Sequence, residues 1–341
     1  MLNHAAQHVF AIPLTLHIGV GDDTDNHVSG NTSNVVNDIT GTDATNTTTQ
    51  HIFFATRTHT VLLPPDASVT ITAPPSIPLV LAQPELPLTA LISLDAATLE
   101  RDALAFERVM AFLKEYDGET GTVIGVQVEN EMGIGYTDRD YSTLANRDYE
   151  KPLPEELRDV ELEDCGECDG SNTWVGQFGR HAHEAFNAWY HALYIGQVAR
   201  RGRAQYDFPV LYTNVMIGET GYEEPGKCYN SGAAVGRVLD IWKKGAPALD
   251  LIAPDIYNPE LSVYSRICSR YARPDNALFI PETSPTGEAF AMDLIRAAAD
   301  YGAIGLCGFG AESALTNNGE LSEDAYPVMV SMRTIQNLAP L

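Results

Sequence analysis

The stretch IGVQVENEMG, residues 124–133, decides the fold, because a run of apolar residues ends there at two carboxylic acids separated by one amide. A continuous apolar run is typical of a parallel strand that is covered on both faces. Its acidic end, Glu131, stands where enzymes built from alternating strands and helices place catalytic carboxyl groups. A second catalytic carboxyl group is therefore expected at the end of another strand.

The rest of the chain after residue 95 has the same alternating character. A helix is predicted upstream of the first strand from apolar residues at spacings of four and three: Leu99, Ala103, Phe106, Met110 and Leu113. Apolar runs predict strands at 122–128, 209–216, 249–257, 277–281 and 303–309, and helices are predicted at about 178–202, 233–244, 260–272 and 286–301. This rhythm predicts a parallel α/β sheet, open or closed.

Residues 1–95 differ in composition from the rest, with one cation, Arg57, and six of the nine histidines. Short β-like runs surround a segment rich in Thr and Asn, which we expect to be disordered over about residues 30–50. We find no amphipathic helical pattern here. The sequence therefore predicts an irregular, β-rich region over residues 1–90 and an α/β portion over residues 91–341.

The charge balance excludes several classes of partner. Asp and Glu number 46 against 21 Lys and Arg, and the net charge of −25 disfavours nucleic acid and anionic membranes. Only five of the cations are Lys, and an acidic, Lys-poor composition favours a halophilic source. No apolar run is long enough to span a membrane, and the first residues lack the basic start of a signal peptide.

The five cysteines are an odd number in a large chain, which argues against a disulfide framework. We therefore expect a reducing, cytoplasmic location. Cys165 and Cys168 have the spacing of metal ligands, yet a structural zinc needs four ligands and Cys228 is the only obvious third. The expectation is no metal, with this pair left open.

Two later strand ends also carry polar groups. The run ALFIP leads into Glu282, and the run LDLIAP leads into Asp255 and Tyr257. Hydrolysis of a glycosidic bond uses two carboxyl groups that flank the bond, and in a (β/α)₈ barrel such groups come from different strands at one face. Glu131 and Glu282 fit that arrangement.

The motifs ENEMG, LYTNVMI, APDIYNPE, FIPETS and GFGAES, in this order, resemble those of the β-galactosidase-like glycoside hydrolases. The likeness runs from about residue 90 to 315 and is closest to family 35, within the superfamily of retaining enzymes with two glutamates. It implies a (β/α)₈ TIM barrel, with residues 91–341 supplying strands four to eight and the first three units incomplete or irregular. It also implies a carbohydrate substrate, no cofactor and a possible homo-oligomer.

At the positions of this sequence that match the family's motifs, the resemblance implies that Glu282 is the nucleophile and Glu131 the acid/base of a double displacement. Asn130 would donate to the sugar 2-hydroxyl, and Tyr257 would steady the nucleophile. Two further strand-end residues would contact sugar hydroxyls: Asn214 and Glu312. The alternative is a non-catalytic, carbohydrate-binding or degenerate remnant, because residues 1–90 lack the pattern of three βα units.

Overall fold

A computed structural model describes residues 37–42, 47–52, 68–72, 96–218 and 224–338. The strands are β1 (Asn37–Thr42), β2 (Thr47–Ile52), β3 (Ser68–Thr72), β4 (Gly125–Gln127), β5 (Val210–Met216), β6 (Leu251–Asp255), β7 (Phe279–Thr283) and β8 (Gly305–Gly308). The α-helices are α1 (Ala96–Asp117), α2 (Thr143–Tyr149), α3 (Trp174–Phe178), α4 (Ala182–Gln205), α5 (Leu239–Gly245), α6 (Leu261–Tyr271), α7 (Glu288–Tyr301) and α8 (Tyr326–Leu338). None of these helices is both long and apolar enough to cross a bilayer.

Strands β4 to β8 all run in the same direction. Parallel pairing gives the order β4-β5-β6 in one sheet and β7-β8 in another. A parallel bridge between Ile256 and Thr283 connects the two sheets, and the Ile256 backbone N–H donates to the Glu282 carbonyl at 2.9 Å. The carboxyl ends of all five strands therefore lie at one edge, which is where the sequence places its acids.

The predicted barrel is present only in part. The described residues form a mixed α/β structure, but their sheets are not closed and no complete (β/α)₈ barrel is seen among them. The strands that precede α1 pair antiparallel, in the order β2-β1-β3, so they are not three units of parallel strand and helix. An antiparallel pair needs only a short turn between its strands, whereas each parallel unit needs a crossover helix.

The predicted division near residue 90 stays a prediction, because much of the N-terminal region lies outside the described residues. Strands β1 and β2 fall within the segment of about 30–50 for which the sequence predicts disorder. The other residues of that segment are outside the described ranges.

Helix α4 is the centre of the core and packs against α1. The predicted apolar face of α1 is turned inward: Ala103, Met110 and Leu113 are buried, and Leu99 and Phe106 are partly buried against the same cluster. At the rim of this contact Arg201 of α4 bonds Glu100 at 2.9 Å and also pairs with Glu107 of α1. Burial of the apolar face is the main stabilising contribution, because exposed ion pairs contribute little.

Three helices were not predicted from the sequence, namely α2, α3 and α8. The first two are short and are fixed by caps rather than by apolar periodicity. The Ser142 hydroxyl accepts from the Ala145 backbone N–H at the start of α2, and the Thr173 hydroxyl accepts from that of Gly176 at the start of α3. A cap satisfies backbone groups that the first turn leaves unpaired.

The structure joins Cys165 and Cys168 in a disulfide. This differs from the expectation of free thiols, and the reason is local: the loop between α2 and α3 turns back and brings the two Cα atoms within 6.5 Å. Of the remaining cysteines, Cys268 is buried and Cys228 is exposed.

Candidate active site

Three carboxyl groups meet at the edge where the parallel strands end. One oxygen from each of Glu131, Asp255 and Glu282 lies within 4.8 Å of the others. Glu131 follows β4, Asp255 is the last residue of β6 and Glu282 lies in β7. Asp255 is only 3% exposed, whereas the two glutamates are half-buried. The two predicted glutamates therefore share one site with a third acid.

Asn214, on β5 between these strands, holds the acids at their spacing. Its Nδ2 lies 2.9 Å from Asp255 Oδ2, 3.3 Å from Glu282 Oε1 and 3.0 Å from Asn130 Oδ1. Its Oδ1 accepts from the Glu131 backbone N–H at 2.9 Å. The side-chain amide has two N–H donors for three acceptors, so these partners share its hydrogens. The amide is bound by protein groups in the structure, and the sugar contact that the resemblance implies for Asn214 stays a prediction.

The backbone around Glu131 is in a left-handed conformation that is unusual for residues with a side chain. Glu129 has φ 60° and Glu131 has φ 46°. Such residues cost about 1–3 kcal/mol each and persist only where neighbouring groups hold them. The Glu131 carbonyl accepts from Asn230 Nδ2 at 3.2 Å, and a Cβ at Gly133 would lie 2.5 Å from Asn230 Cβ. This close contact fixes the direction of the loop that carries Glu131.

Asn130 and Tyr257 lie beside the glutamates. Asn130 Oδ1 accepts from Gln127 Nε2 at 3.0 Å as well as from Asn214, which leaves its Nδ2 as the donor end. The Tyr257 hydroxyl donates to Glu282 Oε2 at 2.9 Å, and the residue as a whole is 42% exposed. Glu282 is therefore held on one oxygen by Tyr257 and on the other by Asn214.

The three acids of the site differ in their electrostatic surroundings, and this affects the pKa of Asp255 and that of Glu282. Burial raises the pKa of Asp255 to about 10, with further contributions from the negative charges of Glu282 and Glu131, so this carboxyl is neutral at pH 7. Burial also raises the pKa of Glu282, and the charge of Glu131 adds to this, whereas the hydrogen bonds from Tyr257 and Asn214 oppose it. Asp255 Oδ1 is buried and accepts no hydrogen bond from the described residues.

Glu312 is not brought into this cluster. It lies in the 3₁₀ turn Ala311–Ala314 after β8 and is exposed. No described hydrogen bond connects its side chain to the three acids. Its predicted contact with a sugar hydroxyl has no support from the geometry of the described residues and stays a prediction.

Sequence reasoning missed Asp255 as a site residue, although it noted the acid at this strand end. The signal was the same as for Glu131 and Glu282, a carboxyl group directly after an apolar run. Its importance depends on the protonation state, which follows from burial and from the neighbouring charges.

A cavity of about 1060 Å³ lies between the loops that follow β4 and β5 and helix α6, and none of the three acids lines it. Polar contacts line its wall, including the ion pair of Arg270 with Glu163 at 2.9 Å and the hydrogen bond between His183 Nδ1 and Asp138 Oδ2 at 2.7 Å. The cavity is therefore polar and close to charge-balanced, and it is separate from the carboxyl cluster.

No protein-family model matches the chain, and no curated protein matches it. Solved structures to which the chain shows a likeness include glycoside hydrolases. They include the catalytic domain of a β-amylase from Paenibacillus polymyxa, at 13% identity and a TM-score of 0.45, covering 69% of this chain and 68% of that one. A β-galactosidase from Rahnella sp. R3 has 16% identity and a TM-score of 0.46, covering 73% of this chain and 40% of that one. A β-galactosidase from the Antarctic haloarchaeon Halorubrum lacusprofundi has 15% identity and a TM-score of 0.44, covering 72% and 42%.

The chain spans about two fifths of the length of these two β-galactosidases.

Proposed function

We propose that the chain is a retaining glycoside hydrolase that acts on β-galactosides by double displacement. The observation that carries the proposal is the separation of Glu131 and Glu282, whose nearest carboxyl oxygens are within 4.8 Å. Retaining enzymes have carboxyl groups about 5–5.5 Å apart, whereas inverting enzymes need roughly 6.5–9.5 Å to admit a water molecule. A nearest-oxygen separation of this size supports the retaining arrangement over the inverting one.

Glu282 is assigned as the nucleophile because two hydrogen bonds favour its charged form against the effect of burial. It accepts from Tyr257 on Oε2 and from Asn214 on Oε1, and hydrogen bonds to a carboxylate favour the charged form. In the first step one of its oxygens bonds to the anomeric carbon. The glycosidic C–O bond breaks, and the leaving oxygen takes its electron pair and a proton from Glu131.

Glu131 acts as acid and then as base. In the second step a water molecule gives its proton to Glu131 and attacks the anomeric carbon. The bond to Glu282 breaks and returns the electron pair to that carboxylate. The pinned backbone of residues 129–131 supports this role, since proton transfer requires a fixed position of the carboxyl group.

The substrate class comes from the resemblance of the strand-end motifs and not from the geometry. The competing hypothesis is a carbohydrate-binding chain without catalysis, and its basis is that the sequence of residues 1–90 lacks the pattern of three βα units.

The test is hydrolysis of a panel of aryl β-glycosides in buffer with molar salt, with the anomer of the first-formed sugar followed by ¹H NMR. The proposal expects galactosides to be cleaved with retention of the β-configuration. Inverted product contradicts the retaining assignment, and a folded chain without any turnover supports the non-catalytic hypothesis.

Two variants separate the roles of the glutamates. Glu282→Ala should abolish turnover of every substrate. Glu131→Ala should slow substrates with poor leaving groups by about 10²–10⁴-fold and activated aryl glycosides far less, because only the former need a proton on departure. Azide should restore turnover of the activated substrate by Glu131→Ala, with retained stereochemistry. Glu288→Ala, an exposed acid at the start of α7, is the matched control. Equal losses on both substrate types without azide rescue contradict these roles.

A further inference from the structure

We propose that Asp255 is a positioning residue that acts through Glu131: it stores the proton that Glu131 delivers to the leaving oxygen. The inference rests on the proposed function and adds a third carboxyl group to the two glutamates. It assigns to Asp255 a neutral, hydrogen-bond-donating form in the resting protein.

The first observation is the unequal environment of the two Asp255 oxygens. Oδ2 accepts from Asn214 Nδ2 at 2.9 Å. Oδ1 is buried and has no donor among the described residues. A buried carboxylate oxygen without a donor is unfavourable, because it has lost its water and gained nothing in return. A proton on Oδ1 removes this cost and turns the atom into a donor.

The second observation concerns which neighbouring carboxyl group can accept a hydrogen bond from a proton on Asp255. Both oxygens of Glu282 already accept hydrogen bonds, from Asn214 and from Tyr257. An oxygen of Glu131 lies within 4.8 Å of an oxygen of Asp255, and the two side chains interact. Glu131 is therefore the carboxyl group of the cluster that is placed to exchange this proton with Asp255.

The third observation concerns charge. Neither Asp255 nor Glu282 forms an ion pair with a cationic side chain in the part of the chain that the structure describes. The other titratable groups that interact with Asp255 are the phenols Tyr257 and Tyr212, which are neutral near pH 7 because the ordinary pKa of a phenol is 10.0 and burial raises it further. With Asp255 protonated, the three acids carry two negative charges. Removing that proton would add a third charge at a site that is 3% exposed.

The proton count balances over the cycle. In the resting state Asp255 is protonated, and Glu131 and Glu282 are carboxylates. When Glu282 forms its bond to the anomeric carbon it becomes a neutral ester. Asp255 passes its proton to Glu131, and Glu131 passes a proton to the leaving oxygen. The cluster therefore holds two negative charges before and after the step.

The transfer of the Asp255 proton to Glu131 is coupled to formation of the Glu282 ester. The charge of Glu282 is one of the causes that keep the proton on Asp255. Formation of the ester removes that charge at the moment when the leaving oxygen needs a proton. In the second step water returns a proton through Glu131 to Asp255, and the bond to Glu282 breaks to restore its carboxylate.

The test is Asp255→Asn, which keeps the shape, the acceptor for Asn214 and a donor for Glu131 but has no acidic proton to give. We expect turnover of lactose to fall by about 100-fold or more, and turnover of a 2,4-dinitrophenyl galactoside to fall much less, because only lactose needs a proton on departure. In wild type the alkaline limb of the pH profile for lactose follows the loss of the Asp255 proton, and the residual activity of the variant should lack this limb. Asp293→Asn is the matched control, because Asp293 is equally buried at 2% exposure but lies on α7 outside the cluster.

An infrared spectrum gives a second measurement that does not depend on activity. The wild-type spectrum at pH 7 should contain a band from the protonated carboxyl group of Asp255. This band should be lost in Asp255→Asn. It should remain in Asp293→Asn, whose difference from wild type contains only the contribution of Asp293. Absence of any protonated-carboxyl band from the wild-type spectrum at pH 7 overturns the inference, and this outcome does not depend on whether the Asn variant folds.

Several outcomes of the kinetics would contradict the inference. Equal loss on both substrates assigns Asp255 a structural role, and no loss on either shows that Glu131 obtains its proton without it. Loss of wild-type activity on chelation, with recovery on adding Mg²⁺ or Mn²⁺, makes the three acids a cation site. A wild type that cleaves no glycoside contradicts the proposed function itself, whereas an active wild type with an unchanged Asp255→Asn variant contradicts only the storage of the proton.

Discussion

At the scale of single residues, the ionisation of Glu282 depends on two hydrogen bonds that act against burial. Burial raises its pKa, and the donors Tyr257 and Asn214 lower it. Asn214 also supports Glu131, Asn130 and Asp255, so its removal would disturb the whole cluster. Tyr257 contributes one hydroxyl, which makes its removal the cleaner way to change the pKa of Glu282.

We therefore predict that Tyr257→Phe moves the acidic limb of the kcat/KM profile to higher pH. Without the hydroxyl the pKa of Glu282 rises, and a larger fraction of the nucleophile is protonated at a given acidic pH. Loss of activity should be largest on the acidic side, about 10-fold or more, and smaller on the alkaline side. The profile is measured on one activated galactoside, with Tyr326→Phe, an exposed phenol of α8, as the control. A uniform loss at all pH values would mean that Tyr257 contacts the sugar and does not tune Glu282.

Asp255 has a consequence for stability that is independent of catalysis. Its pKa rises from an ordinary value of 3.8 to about 10 on folding, so the folded protein binds one more proton than the unfolded chain between these values. Its contribution to stability is therefore complete below pH 4 and is lost as the pH rises towards 10.

We predict that Asp255→Asn becomes more stable relative to wild type as the pH is raised. The difference in unfolding free energy should grow by up to about 1.4 kcal/mol per pH unit between pH 5 and pH 9. Urea unfolding of both proteins at pH 5, 7 and 9 measures it, with the exposed Asp300→Asn as the control. A constant difference across this range would show that Asp255 is already ionised in the folded protein.

At the scale of elements, the sequence predicts what depends on local pattern. Five apolar runs indicated β4 to β8, and the face of α1 that contains Ala103, Met110 and Leu113 is buried as its spacing indicated. These features are readable because a parallel strand covered on both faces must be apolar throughout, and a helix on a sheet must be apolar on one side.

The parts that the sequence does not predict depend on contacts between distant residues. The run at 249–257 predicts a longer strand than β6, which ends at Asp255 because Ile256 already bridges to Thr283 of β7. The engagement of Asn214 by several protein groups and the neutral form of Asp255 arise only when β4, β5, β6 and β7 lie side by side. The backbone conformation at Glu131 likewise follows from its contacts with Asn214 and Asn230.

Helices α4 and α5 approach closely at a glycine, and this contact positions the chain that enters β6. A Cβ at Gly196 would lie 2.8 Å from the Gly245 carbonyl oxygen and 2.9 Å from Ala246 Cα. Both atoms belong to the backbone at the end of α5, so a rotamer change cannot relieve the contact.

We predict that Gly196→Ala destabilises the protein by about 1–3 kcal/mol, because the added methyl group overpacks this contact. Helix propensity alone would give the opposite sign, since Ala is favoured over Gly by about 1 kcal/mol within a helix. Urea unfolding decides between the two, with Gln197→Ala on the exposed side of the same turn as the control. A stabilised Gly196→Ala variant would show that α5 can move away without cost.

At the scale of the whole molecule, the excess of acids over cations is the dominant electrostatic feature. The net charge of −25 means that most carboxylates have no cation to pair with, even though pairs such as Lys244 with Asp159 at 2.8 Å do form. Repulsion among these charges opposes the compact state more than the expanded one. At 0.1 M salt the screening length is about 10 Å, and at 1 M it is about 3 Å, shorter than most distances between surface charges.

We predict that the melting temperature rises steeply between 0.1 and about 1 M salt and then flattens, since screening is nearly complete at that point. NaCl and Na₂SO₄ compared at equal ionic strength separate this effect from salting-out: screening makes the early rise equal for both salts, whereas preferential exclusion favours sulfate throughout. A variant with three exposed acids neutralised, Glu155→Gln, Glu156→Gln and Glu161→Gln, provides the internal control. It should melt at a higher temperature than wild type in low salt and gain less from added NaCl, because less repulsion is left to screen. A melting temperature that is unchanged by NaCl, or an equal gain in wild type and variant, would mean that self-repulsion does not limit the stability of this chain.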